Sequence, residues 1–127
     1  MISLVIDMET RSEGNLRGRE PWQARSKRMS TQRDATTAAL LAHAGVGGET
    51  LAAYGPRLLV TLTRLASRDL DTDNLSSSLK GPRDAIAAWL GVNDGPKGPV
   101  RWAYAQERRT DKNKKLGGVR IEITRAP

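Results

Sequence analysis

The side chains best placed for chemistry lie in one stretch, SRDLDTDNLSSSLKGPRD, from Ser67 to Asp84. Asp69, Asp71 and Asp73 stand at alternate positions, followed by Lys80, Asp84 and, beyond a helical segment, Asp94. In an extended chain alternate side chains share a face, so three carboxylates would crowd and repel one another. Three readings account for them. In a calcium loop, Asp69, Asp71 and Asp73 would take positions one, three and five, but the twelfth position needs a bidentate Glu and holds Lys80. In a structural reading, Asp69 or Asp71 caps a turn and Asp73 is the N-cap of the next helix. In the third reading, the acids hold a divalent metal for phosphodiester chemistry. Mg²⁺ takes one or two carboxylates plus waters and substrate phosphate, and it polarises a phosphoryl group.

The charge around the acids favours the third reading. The chain of 127 residues carries a formal net charge of +7, yet five of its 14 acids fall between Asp69 and Asp94. Arg11, Arg17, Arg19, Arg25, Lys27, Arg28 and Arg33 form one basic cluster, opposed only by Glu13 and Glu20. Arg101, Arg108, Arg109, Lys112, Lys114 and Lys115 form another. An acidic island in a basic field suits a polyanionic partner, nucleic acid first, whose backbone the cations would hold. A solvated, solubilising surface is the plainer alternative.

Other residues narrow the chemistry. His43 is the only histidine and stands near the expected end of a helix, where a cation is favoured, so a histidine-based triad has no base to use. Ser76, Ser77 and Ser78 lack a partner base. With no cysteine there is no disulfide or thiolate metal site, as fits the cytoplasm. Trp89 and Trp102 read as core. Trp22, among basic residues, reads first as buried and second as a stacking surface for an unpaired base. GVGG and GPKGP match no phosphate-loop or dinucleotide pattern. No apolar run reaches the ~20 residues of a membrane span.

The elements that must position these residues follow from periodicity. ISLVIDM is a first strand. A polar loop leads to a helix from Pro21, ended by Gly45. Arg57 to Leu65 is the clearest strand, with Leu58, Val60 and Leu62 facing one way and Thr61 and Thr63 the other. A second helix runs from Asn74 or Leu75 to Leu90, with a kink or a late start near Pro82. Val100 to Gln106 and Val119 to Thr124 are the last strands, joined by a long, mobile basic hairpin loop, ERRTDKNKKLGG. The expected fold is α/β of the α+β kind: a single domain over residues 1–127, with a small mixed sheet of about four strands and two main helices on one face.

The longer string DLDTDNLSSSLKGPRDAIAAWLGVNDG resembles the RusA-type Holliday junction resolvases, particularly their phage-encoded relatives. Their pattern is D-x-D-N-L, a helix carrying K-x-x-x-D-A, then an Asp-Asp pair. Asp71, Asp73, Asn74 and Leu75 match the first part, Lys80, Asp84 and Ala85 the second, and Asp94 the last. EGNLRGREPWQARSKRMSTQR resembles the family's loop into a basic first helix, with Asn15 as its marker; RWAYAQERR and GVRIEIT resemble its closing strands. The resemblance implies a RusA-like fold and a homodimer that nicks a four-way DNA junction symmetrically. It implies Mg²⁺, or Mn²⁺ in its place, held by Asp71, Asp73 and Asp94, with Lys80 at the scissile phosphate. Asn15, Arg17, Arg19, Arg25, Lys27, Arg28, Lys112, Lys114 and Lys115 would contact the DNA, in the cytoplasm of a bacterial host. Two positions depart from the pattern: Ser77 stands where better-known members carry the helix Lys, and Asn93 replaces one Asp of the later pair. The competing expectations are a non-catalytic DNA-binding protein on the same fold and a small protein that binds acidic partners through its basic patches.

Overall fold

The computed structural model describes residues 1–12, 20–109 and 117–127. Asn15, Arg17 and Arg19, and Lys112, Lys114 and Lys115 with most of their loop, lie outside these residues. The elements in chain order are β1 (Ile2–Asp7), α1 (Trp22–Ala44), α2 (Gly47–Tyr54), β2 (Leu58–Ala66), α3 (Thr72–Ser78), α4 (Lys80–Leu90), β3 (Val100–Arg108) and β4 (Gly118–Arg125).

The four strands form one mixed sheet in the order β1-β4-β2-β3. β4 is antiparallel to both of its neighbours, and β2 and β3 run parallel, joined through α3 and α4 as a parallel pair requires. Period-two alternation sets the buried face. Val119, Ile121 and Ile123 of β4 and Leu58, Val60 and Leu62 of β2 are fully buried, and Ile121 lies between Leu4 and Leu62 in register. Ile2, Ile6 and Val100 extend this layer, which meets Leu40 of α1 and Ile86 and Leu90 of α4. The helices therefore share one face, and one apolar cluster unites them with the sheet.

Three expectations need correction. The last two strands do not form a hairpin: β2 lies between β3 and β4, pairing with both. The alternation of each strand is compatible with either neighbour, so pattern alone did not decide the pairing. The second helix is two helices, broken at Leu79 (φ −105°, ψ 10°), so Pro82 falls in the first turn of α4, where its missing N–H costs no hydrogen bond. Finally, Gly47–Tyr54 is an additional helix, hidden in the sequence by its two leading glycines.

Glycine sets how closely the helices meet. A Cβ on Gly81 would lie 2.4 Å from Gln32 Oε1 and 3.0 Å from Gln32 Cβ, so its absence lets the start of α4 press against α1. Gln32 is itself fully buried and donates from Nε2 to the Glu9 carbonyl at 2.7 Å, tying α1 to the exit of β1. This crossing brings the start of α4, with Lys80 and, one turn on, Asp84, beside the basic face of α1. No helix among the described residues is long and apolar enough to cross a membrane.

Candidate functional site: a basic groove with an acidic loop

Helical spacing sorts the cations of α1. Trp22, Arg25, Ser26, Met29 and Arg33 recur at three- and four-residue intervals and share one face. With Lys80 and Asp84 of α4 they line a cleft of about 350 Å³. Lys80 and Asp84 also line a second cleft of about 240 Å³ with Ser76, Ser77, Arg83, Asp94 and Tyr104. Arg83, Asp94 and Tyr104 in turn border an open cavity of about 920 Å³ that also takes in Arg57, Lys97, Arg101 and Trp102. The three depressions share walls and make one groove. Seven Lys and Arg side chains line it, against two carboxylates, Asp84 and Asp94.

Of the other cations expected at DNA, Lys27 is exposed and stands about 200° around α1 from Arg25, off the groove face. Arg28 forms a pair with Glu20, at 2.6 and 3.2 Å, and that hydrogen bond holds the Glu20 carboxyl below its ordinary range. His43 sits in the last turn of α1 and is exposed.

The acidic loop is built by side chains that sequence reasoning passed over. Gln106 of β3 holds the backbone of Leu70 from both sides: its Oε1 accepts from Leu70 N–H at 2.8 Å and its Nε2 donates to Leu70 O at 2.7 Å. This fixes the peptide between Asp69 and Asp71. Arg64 of β2 is buried, donating to Thr10 Oγ1 at 3.0 Å and to Arg68 O at 2.6 Å, so the turn after β2 is anchored too. Burial pushes the Arg64 guanidinium below its ordinary pKa, and the charge of Asp69 works against that shift. Both residues carried a readable signal. Arg64 and Gln106 occupy core-facing positions of their strands, where alternation calls for apolar side chains.

Each aspartate then has its own setting. Asp69 faces Arg108 at 3.7 Å. Asp71, not Asp73, caps α3, accepting the Asn74 N–H at 3.2 Å. Asp73 lies in the first turn of α3, exposed, and its carboxylate has no partner among the described residues. The shared face of an extended segment therefore does not form, because the chain turns helical at Thr72. Asp84 pairs with Lys80 at 2.8 Å, the i,i+4 partner one turn away. Asp94 is held by Arg83. The guanidinium donates to the Asp94 carbonyl at 2.6 Å and to the Tyr104 hydroxyl, its Nε stands 3.3 Å from Asp94 Oδ2, and its carbon lies 4.9 Å from the Trp102 ring centre.

The structure thus brings Lys80 and Asp94 to one cleft and leaves Asp71 and Asp73 out of its lining. Among the described residues no three acidic or histidine side chains converge closely enough to hold a metal ion. The three-carboxylate arrangement implied by the resemblance is not assembled. The donor chemistry itself suits a hard cation: Asp73 is uncommitted, and Asp71 offers a second oxygen beyond the one that caps α3.

Trp89 and Trp102 pack against the core as expected, Trp89 donating to Gly45 O at 2.9 Å. Trp22 does not; it is 74% exposed. Comparison with protein-family models, with curated proteins and with solved structures finds no match.

Proposed function

We propose that this chain acts on branched DNA, as a structure-selective endonuclease whose divalent metal is Mg²⁺ or Mn²⁺. The observation that carries the reading is the groove, with its seven cations. A double helix offers one charge per ~1.7 Å of axis, and a row of Lys and Arg neutralises that charge while releasing counterions. Lys80, 57% exposed at its side chain, stands where the α1 face and the Asp94 cleft meet, and would orient the phosphate to be cut. Asp73, with the free oxygen of Asp71, would hold the metal along with waters and phosphate oxygens. When bound, the metal would polarise the phosphoryl group and favour hydroxide at neutral pH. Two copies related by a two-fold axis would suit a four-way junction and its paired nicks.

Specific contacts favour a second reading, DNA binding without cleavage: Lys80 is spent on Asp84 and Asp94 on Arg83. A labelled four-way junction incubated with Mg²⁺, Mn²⁺ or EDTA separates the two, alongside Asp73→Asn. The nuclease reading expects metal-dependent paired nicks that Asp73→Asn abolishes while junction binding persists. Binding with no cleavage in either metal supports the second reading. Cleavage retained by Asp73→Asn would remove the site assignment.

A further inference from the structure

We infer that the cleft between Trp22 and the start of α4 is a stacking site for an unpaired nucleobase, whose neighbouring phosphates lie along the adjoining groove. This rests on the reading that the groove binds DNA and adds to it a specific contact and a preferred form of the nucleic acid.

Trp22 is the starting point. An indole has more apolar surface to gain from burial than most side chains, and tryptophans are highly buried on average. The chain has three Trp, two Tyr and no Phe, and Trp89 and Trp102 both pack against the core. Trp22 alone among the three is 74% exposed, although the helix that carries it is well anchored through Met29, Gln32, Thr36 and Leu40. The ring stands over a cleft of about 350 Å³, within the range of roughly 300–1,000 Å³ usual for sites that take small molecules. Its remaining walls are Arg25, Ser26, Met29, Arg33, Lys80 and Asp84.

The chemistry of those walls selects the occupant. An indole face beside the buried Met29 offers an apolar surface to a flat, polarisable group. Lys80 is matched by the one carboxylate of the cleft, Asp84, at 2.8 Å, and Arg33, exposed and without a partner among the described residues, calls for an anion. A phosphate alone would leave the indole unused, and an apolar peptide side chain would leave Arg33 uncompensated. A nucleotide supplies both a π face and a negative charge. The base must be unpaired or at an open branch, because inside a duplex both of its faces are covered by neighbouring bases. Stacking on an aromatic ring is sequence-tolerant, since every base has such a face.

The test is a binding series with the whole chain, Trp22→Ala and Trp22→Phe. The probes are a single-stranded oligonucleotide, the same strand with several adjacent abasic sites, and the blunt duplex. The expected result is that Trp22→Ala weakens single-strand binding by roughly 5- to 150-fold, the loss of one base–aromatic stack. Duplex binding stays within about twofold and Trp22→Phe keeps most of the single-strand affinity. The abasic strand binds wild type less tightly than the intact strand and binds Trp22→Ala equally to it. Equal losses on single strand and duplex, or no loss on either while wild type binds both, would overturn the inference and leave the groove reading intact. Failure of wild type to bind any oligonucleotide would remove the groove reading and this inference together. Unfolding curves accompany the series, and Trp22→Ala is expected to leave the midpoint unchanged because the ring contributes little to the core.

Discussion

Arg83 is the residue on which the largest single loss is expected outside the apolar core, and Arg83→Met measures it. Four contacts disappear together: the bonds to Asp94 O and Tyr104 Oη, the 3.3 Å approach to Asp94 Oδ2, and the stack on Trp102. The site is open, with the Arg83 side chain 27% and the Asp94 side chain 43% exposed, so each term belongs at the low end of its range. Two charge-assisted bonds contribute about 1 kcal/mol each, the cation–π contact about 0.5 kcal/mol and the ion pair about 0.5 kcal/mol. The sum is about 3 kcal/mol, or a midpoint lower by about 10 °C for a chain of this size. Urea unfolding gives the free energy, and amide exchange across residues 92–98 shows whether the loop that carries Asp94 opens locally. Tyr104→Phe removes one bond and should cost about 1 kcal/mol, and its coupling to Arg83→Met in a double-mutant cycle should be of that size. A cost for Arg83→Met below about 1 kcal/mol, or unchanged exchange in the loop, would refute the assignment of Arg83 as the anchor of Asp94.

Three further outcomes follow from the same geometry. Arg101→Gln and Arg33→Gln should each weaken DNA binding uniformly across sequences and lower the slope of log K against log salt by about 1, read from titrations at several salt concentrations. Gly81→Ala should destabilise by about 1–3 kcal/mol through overpacking against Gln32, and adding Gln32→Ala should recover part of that loss, as a double-mutant cycle in urea would reveal. Glu20 is held below its ordinary pKa chiefly by its hydrogen bond to Arg28, so the pair's stabilisation is complete above the unfolded carboxyl value and is lost as pH falls through the folded one. An NMR titration should find Glu20 returning toward the ordinary carboxylate range in Arg28→Met.

Much of the fold was legible because apolar periodicity is strict where the core is strict. Leu58, Val60 and Leu62, and Val119, Ile121 and Ile123, alternate in the sequence and are fully buried. Gly45, with φ 77°, ends α1 where a left-handed residue was needed. The strand order was not legible, since β4 satisfies its alternation equally beside β2 or β3, and the pairing is settled by the whole sheet. The break at Leu79 was half legible: Pro82 announced an irregularity, but the position depended on Asp71 starting α3 early. Trp22 was misread because composition treats every indole alike. Its neighbours at three- and four-residue spacing, Arg25 and Ser26, are polar, and only Met29, two turns on, is buried on that face. The supports of the acidic loop, Gln106 and Arg64, were visible only as exceptions to alternation, and their partners are backbone atoms that no sequence pattern announces.

The acidic island can now be weighed acid by acid. Asp69 has Arg108, Asp71 caps α3, Asp84 has Lys80 and Asp94 has Arg83. Asp69, Asp84 and Asp94 need no further ligand, and the structural reading suffices for them; Asp71 spends one oxygen on the cap and keeps the other. Asp73 is different: it is exposed and its carboxylate touches no partner among the described residues. Its place in the first turn of α3 makes a negative charge mildly favourable, by no more than about 1 kcal/mol. Stability and function therefore separate at this residue as they cannot at the other four, where any substitution also breaks a structural contact. If Asp73→Asn unfolds within about 1 kcal/mol of wild type and yet loses metal-dependent cleavage, the carboxylate is kept for a ligand. If both properties are unchanged, the Asp73 carboxylate holds no ligand that cleavage needs, and the assignment of the metal to the start of α3 falls while the cleavage itself stands.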